Sequence, residues 1–151
     1  MILGLISDTH GLLRAEALEA LRGSDAIIHA GDVGRKAILE QLGRIAPVTA
    51  VRGNVDVASE FDVLPQSQMV EFQGVWIHVL HDVHAFRRTD PRIQIVVSGH
   101  SHKPLQETRE GILFVNPGSA GPRRFKLPIG VCKLDLGQRP WRAQFITLAG
   151  K

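Results

Sequence analysis

The sequence predicts an α/β domain in which two β-sheets stack face to face with helices outside, and three observations predict it. Over residues 1–51, short apolar runs alternate with helically spaced leucines, the pattern of parallel strands joined by crossover helices. Later apolar runs are joined by Gln73-Gly74 and Glu110-Gly111, pairs that suit tight hairpins. No linker divides the two halves, so both are expected to bury their apolar faces in one core, with residues 1–151 forming a single domain.

Taken in order, Met1 to Ile6 is a short buried strand, and Leu13, Leu18 and Leu21 mark a helix from Leu13 to Arg22. Ala26 to His29 is a second strand. Ile38, Leu42 and Ile45 lie on one face of a second helix, and Pro47 to Val51 begins a third strand. Gln68 to Phe72 and Val75 to Leu80 form the first hairpin, and Leu105 to Thr108 with Ile112 to Val115 the second; Ile93 to Val97 lies between them. Strands at Ile129 to Leu136 and Trp141 to Leu148 close the chain. Pairing in this second half is expected to be mostly antiparallel.

Composition narrows the function classes. At 151 residues and 44% apolar content, a domain of this size buries roughly 70% of its unfolded surface and needs no covalent staples. A single cysteine, Cys132, excludes an internal disulfide and fits a reducing compartment as a core filler. The opening Met1-Ile2-Leu3-Gly4-Leu5-Ile6 has no basic region and reaches Ser7-Asp8 too early for a secretory leader, and no run approaches a membrane span. A cytoplasmic protein with no membrane partner is expected. The net charge of +3 is carried largely by arginine, and Arg87, Arg88, Arg92, Arg123 and Arg124 are candidates to hold an anionic substrate. No long basic block or aromatic interleaving accompanies them, so most are expected to be solvated surface and nucleic acid is not the expected partner.

Seven side chains carry the chemistry. They are Asp8 and His10, Asp32, Asn54, His81, and His100 with His102, at five loop positions that each follow an apolar run. Ligands beyond the carboxyl ends of parallel strands are where such sheets place their sites. Carboxylate, imidazole and amide oxygen suit Mn, Fe, Co, Ni or Zn, and the absence of thiolate argues against a structural zinc site. A two-metal hydrolase needs one bridging ligand and terminal ligands on each side, and Asp32, alone at a tight Gly-Asp turn, suits the bridge. His29 reads as a support rather than a ligand, and His78 and His84 as structural or exposed. Asn116-Pro117-Gly118-Ser119 reads as a turn whose amides can also approach a phosphate oxygen.

One Asp-x-His or His-x-His is weak evidence, but the joint order Asp8-Thr9-His10-Gly11, Gly31-Asp32, Gly53-Asn54, His81, Gly99-His100-Ser101-His102 and Asn116-Pro117-Gly118-Ser119 is specific. On these residues the chain resembles the calcineurin-like metallophosphoesterase superfamily, most closely its compact YfcE-type phosphodiesterase branch. The resemblance implies a four-layer αββα sandwich. It implies one divalent ion on Asp8, His10, Asp32 and His102, and a second on Asp32, Asn54, His81 and His100, with Mn first and Ni, Fe, Co or Zn as alternatives. The reading that follows is hydrolysis of a small phosphodiester by hydroxide held between the ions, with Asp32, Asn54 and His81 catalytic, and with Asn54 and, from the arginine chemistry above, Arg123 and Arg124 touching substrate. Two alternatives are a non-catalytic scaffold of the same fold, as in the retromer subunit, and a nuclease.

Three departures from the family pattern carry expectations of their own. Val55 stands where a histidine would follow the asparagine as an acid for the leaving group, and Asp82 follows His81 where glycine is usual. The segment Asp82 to Arg92 is shorter than the helical connection expected there, so part of one sheet is expected to lie bare and to favour a homo-oligomer.

Overall fold

The computed structural model describes residues 1–148. In chain order the elements are β1 (Ile2–Ile6), α1 (Ala15–Leu21), β2 (Ala26–His29), α2 (Lys36–Gly43), β3 (Val48–Ala50), β4 (Ser67–Phe72), β5 (Val75–Leu80), β6 (Ile93–Val97), β7 (Leu105–Arg109), β8 (Ile112–Asn116), β9 (Gly130–Asp135) and β10 (Ala143–Thr147). Single 3-10 turns at Ser59–Phe61 and Val83–Ala85 complete them. Helix α1 starts later than its leucine spacing predicts because Arg14 is extended, with ψ at 144°.

Two mixed sheets result, with strand orders β10-β9-β1-β2-β3 and β4-β5-β6-β8-β7. Both predicted hairpins form, and each turn holds two residues at positive φ: Gln73 and Gly74, Glu110 and Gly111. Such turns match the right-handed twist of the strands they join. The expectation of mostly antiparallel pairing fails at the centre of the second sheet, where β6 pairs in parallel with both β5 and β8. Its sequence Ile93-Gln94-Ile95-Val96-Val97 is nearly continuous in apolar residues because a central parallel strand is buried on both faces.

Leu3, Leu5 and Ile28 of the first sheet meet Ile77, Val79, Ile95 and Val115 of the second in the core between the sheets. On the other face of the first sheet, Ile6, Ile27 and Val131 pack under Leu21 of α1 and Ile38 and Leu42 of α2. Each fully buried Leu or Ile contributes about 2 kcal/mol of burial free energy. The second sheet lacks a comparable helical cover among the described residues, so the implied fourth layer is reduced to the 3-10 turn and its flanking loop. Yet this face is not bare: Leu80, Ile93, Val96, Ile112 and Phe114 are buried beneath Val83 and Phe86, and Phe86 meets Phe114 edge-on at 5.7 Å between centroids. Arg92 lies over the Trp76 ring and Arg109 over Phe114, their stems and guanidinium planes covering the aromatic surface. The exposed apolar face on which self-association was expected is therefore absent there, and the short connection gives no ground for a dimer.

The parallel pairings also position the site. Strands β1, β2 and β3 run in one direction in the first sheet, as do β5, β6 and β8 in the second. Six carboxyl ends thus precede Asp8, Asp32, Asn54, His81 and His100 and end on Asn116.

Candidate metal centre

Backbone hydrogen bonds lace the loops after these strands together. Asp8 N donates to Gly31 O at 3.0 Å, His10 N to Asp32 O at 2.9 Å, and Gly99 N to His81 O at 2.9 Å. The close approach needs glycine at two points. A Cβ on Gly31, whose φ is +102°, would lie 2.7 Å from His81 Nδ1, and one on Gly99 would collide with the Ser7 hydroxyl and lie 2.6 Å from Asp8 Oδ2. Asp8, His10, Asp32, His100 and His102 all have positive φ, a region that costs a non-glycine residue free energy and persists only where surrounding contacts impose it.

Each carboxylate is anchored through one oxygen and presents the other. Asp8 Oδ2 accepts from the Ser7 hydroxyl at 2.8 Å and from His100 N at 3.1 Å, while Oδ1 lies 3.3 Å from His102 Nε2 and 3.7 Å from both His10 Nε2 and His81 Nε2. Asp32 Oδ1 accepts from Val55 N at 3.0 Å, while Oδ2 lies 3.1 Å from His81 Nε2 and 3.4 Å from His10 Nε2. His81 Nδ1 donates to Ala30 O at 2.7 Å, which turns its Nε2 lone pair toward the carboxylates. The inner atom of the Asn54 amide lies 3.2 Å from His81 Nε2 and from both Asp32 oxygens. An amide can turn either its NH2 group or its oxygen to that point, and the oxygen is the atom that a cation would take.

Asp8, His10 and His102 form one group of donor atoms spanning less than 4.8 Å, and Asp8, Asp32 and His81 form another. Asp8 Oδ1 and His10 Nε2 are buried with no hydrogen-bond partner, a cost that a bound cation would remove. The residues therefore fit the divalent ions that the donor chemistry implies. Of the seven predicted ligands, these five converge with Asn54 beside them. The His100 ring is exposed and rests edge-on against His81 at 5.2 Å between centroids, outside both groups.

Charge follows geometry. Burial would raise the Asp8 carboxyl, but hydrogen bonding from His10 and His102, the His81 charge and Ser7 outweigh it and hold it far below the usual carboxylate range. Burial would likewise raise Asp32, but hydrogen bonds from His81 and Val55 N outweigh it and lower the carboxyl. His81 is raised: burial would lower it, but Asp32, Asp8 and the Ala30 carbonyl prevail. His29 is driven down to about 4 by complete burial. The Thr9 hydroxyl donates to Val33 O at 2.8 Å, so His29 Nε2 donates to Thr9 Oγ1 at 3.0 Å while Nδ1 accepts from Gly31 N at 3.1 Å. Neutral His29 thus ties the Asp8 loop to the Asp32 loop.

A pH prediction follows for the metal-stripped protein, whose stability is expected to peak near pH 6.5. Between about 4 and 6.5 the unfolded chain protonates His29 while the folded chain does not, so stability falls as pH drops through that window, by about 3 kcal/mol in full. His81 acts oppositely: its contribution is complete below 6.5 and is lost as pH rises through its higher folded value. Asp8 and Asp32 add a further loss below 3.8. Urea unfolding from pH 4 to 9 reads the curve, and His29→Gln is expected to flatten the limb between 4 and 6.5. An unaltered limb would reject the assignment.

Two bracing roles escaped the sequence reading. The Asp56 carboxylate accepts from Val33 N, Gly34 N and Gly53 N at 2.9–3.0 Å, clipping the Asp32 loop to the Asn54 loop. Its signal was its place two residues after Asn54. The Asn116 amide donates to Gly99 O at 2.9 Å and Ser101 Oγ at 3.1 Å, and Ser119 Oγ donates to Asp8 O at 3.1 Å, so this turn braces the ligand loops. A cleft of about 760 Å3 opens beside Asn54, His81 and His100, and Arg52 and Arg87 line it. Arg123 and Arg124, predicted to touch substrate, lie on the exposed stretch after Gly121 and not among its walls. Arg88 is occupied by backbone carbonyls and Arg92 by Asp90.

Residues 1–139 match the calcineurin-like phosphoesterase superfamily domain, and the chain belongs to that family of metallophosphoesterases. It is 35% identical over 134 residues to a probable metallophosphoesterase of Methanocaldococcus jannaschii, covering 79% of this chain and 68% of the relative. Among solved structures, YfcE, a phosphoesterase from E. coli, is 28% identical with a TM-score of 0.71, over 90% of this chain and 89% of that one. A novel archaeal phosphodiesterase superposes with a TM-score of 0.78 at 20% identity, covering 97% of this chain and 100% of its own. Vps29 of Chaetomium thermophilum gives 0.76 at 18%, covering 97% and 96%. The last two likenesses establish the fold alone. Among the described residues no helix is long and apolar enough to cross a membrane.

Proposed function

We propose that this chain is a phosphodiesterase that works on small phosphodiesters with two divalent cations, manganese first among them, held by Asp8, His10, Asp32, Asn54, His81, His100 and His102. The observation that carries the reading is the convergence of acceptor atoms from separate loops on one point, with Asp8 Oδ1 and His10 Nε2 left unpartnered. Bound there, divalent cations supply charge neutralisation for phosphoryl oxygens and lower the pKa of water. Asp32 Oδ2, within 3.4 Å of both His10 and His81, suits the shared ligand. Asn54 is placed to orient a phosphoryl oxygen through its amide, and the Ala30 carbonyl keeps the His81 proton on Nδ1 so that Nε2 remains a ligand. Likeness to YfcE supports phosphoester hydrolysis over a scaffold role, as does retention of every predicted ligand type.

The test is reconstitution with Mn, Fe, Co, Ni or Zn in turn, counting bound metal and measuring hydrolysis of bis(p-nitrophenyl) phosphate and p-nitrophenyl phosphate. Two ions per chain and faster hydrolysis of the diester are expected. Because affinity rises along the divalent series toward copper irrespective of biology, the ion is judged by turnover rather than by tightness. Fewer than one ion per chain, or no hydrolysis with any ion, would overturn the proposal.

A further inference from the structure

We propose that the cleft beside the metal centre is a second anion subsite, holding a further phosphate that the substrate carries away from the bond being cut. This rests on the phosphoesterase reading and adds the substrate class to it. The cleft begins at Asn54, His81 and His100 and continues between Arg52 from the loop after β3, His78 of β5 and Arg87 of the short 82–92 segment. Its volume of about 760 Å3 is that of a site for a whole small molecule, and a lone phosphoryl group would leave most of it to water.

The chemistry of the walls selects an anion. Arg22, Arg92 and Arg109 are each paired with a neighbouring carboxylate, whereas among the described residues neither Arg52 nor Arg87 has such a partner. Arg52 Nε is buried without a hydrogen bond. A buried charged donor left without an acceptor is destabilising until a ligand supplies one. Arg87 is steadied at the wall by donating Nη1 to His84 O and Phe86 O, which leaves its other N–H groups available. The carboxylates on the same walls already accept hydrogen bonds from the protein. Asp56 takes three backbone amides, and Asp82 takes the His84 amide and ring. Arg52 and Arg87 thus bring uncommitted donors to the cleft, and a guanidinium meets phosphate oxygens through paired N–H groups.

Spacing places both anions in one molecule. Arg52 is two residues from Asn54, so their Cα atoms are at most about 7 Å apart. A phosphate over the metal centre and another against Arg52 belong to a small phosphodiester with a second phosphate a few bonds away, rather than to a long polymer backbone tracking a basic groove.

Two esters with the same reacting bond test this: the p-nitrophenyl ester of thymidine 5′-phosphate, and the same ester bearing a 3′-phosphate. With manganese-loaded protein, the added phosphate is expected to raise kcat/KM at least about ten-fold, the scale of one charge-assisted hydrogen bond. Arg52→Gln and Arg87→Gln each bring that ratio toward one, and Arg52→Lys keeps part of it; Arg87 is exposed, so its variant reports even where an Arg52 variant folds poorly. A ratio at or below one in the unaltered protein, or one preserved in both glutamine variants, overturns the subsite. Calorimetric titration with thymidine 5′-phosphate and thymidine 3′,5′-bisphosphate separates the two levels of inference. Preferential binding of the bisphosphate, lost in Arg52→Gln, with no turnover of either ester leaves the subsite and removes the phosphoesterase reading. Turnover of both esters at equal kcat/KM removes the subsite and leaves the phosphoesterase.

Discussion

Asp32→Ala is expected to reduce hydrolysis by about a thousand-fold and to strip both ions. The expected effect is large because one oxygen serves two neighbours: Oδ2 lies 3.1 Å from His81 Nε2 and 3.4 Å from His10 Nε2, the position the proposal gives to the shared ligand. Losing it removes several kcal/mol of transition-state charge stabilisation, and about 4 kcal/mol is a factor of a thousand. His29→Ala is the control. It breaks the Thr9–His29–Gly31 tie without touching a donor atom, and loss of such a supporting contact costs roughly ten- to a hundred-fold. Asp8 offers the sharpest contrast, because it belongs to both donor groups. If Asp8→Ala stripped both ions while Asp32→Ala left one, the shared ligand would be Asp8 and the assignment of Asp32 would be wrong. Metal counting on the three variants, with hydrolysis measured alongside, reads this directly.

The alternation in the first half was legible because a parallel βαβ unit forces two periodicities on the sequence, and Leu18 and Leu21 against Ile27 and Ile28 display both. Gln73-Gly74 and Glu110-Gly111 were legible because those turns require positive φ at both residues. The parallel setting of β6 was not, since four apolar residues in five say that a strand is buried but not which neighbours bury it. The donor set was legible because ligand chemistry restricts residue type. What each side chain contributes was not. Which Asp8 oxygen stays free depends on Ser7 and on the His100 amide, the latter 92 residues along the chain, and tertiary closure alone decides it. Arg52 was hidden for the same reason: among the described residues its Nε is buried without a hydrogen bond, and a sequence does not show partners. The cover over β5, β6 and β8 was underestimated because Phe86 and two stacked arginines replace a helix without any helical pattern.

Hydrolysis is expected to depend steeply on the leaving group, and Val55→His is expected to flatten that dependence. A valine side chain carries no proton to give a departing alkoxide, so aryl esters that leave as stabilised phenolates should react far faster than alkyl esters. The position can accept an imidazole, because the Val55 side chain is outside the core at 42% exposure. Its fixed contribution to the site is the backbone N–H that donates to Asp32 Oδ1 at 3.0 Å, and a histidine retains that group. A positioned general acid contributes about 10² to 10⁴ in rate, so Val55→His should recover part of that factor on alkyl esters and little on p-nitrophenyl esters. A uniform loss across all substrates would instead mean that the larger ring displaces Asn54, whose amide sits 3.2 Å from both Asp32 oxygens. The measurement is log kcat/KM against leaving-group pKa for both proteins over a series of aryl and alkyl esters. A shallower slope in the histidine variant identifies proton donation as the step this chain lacks, and equal slopes place the limit on diester cleavage elsewhere.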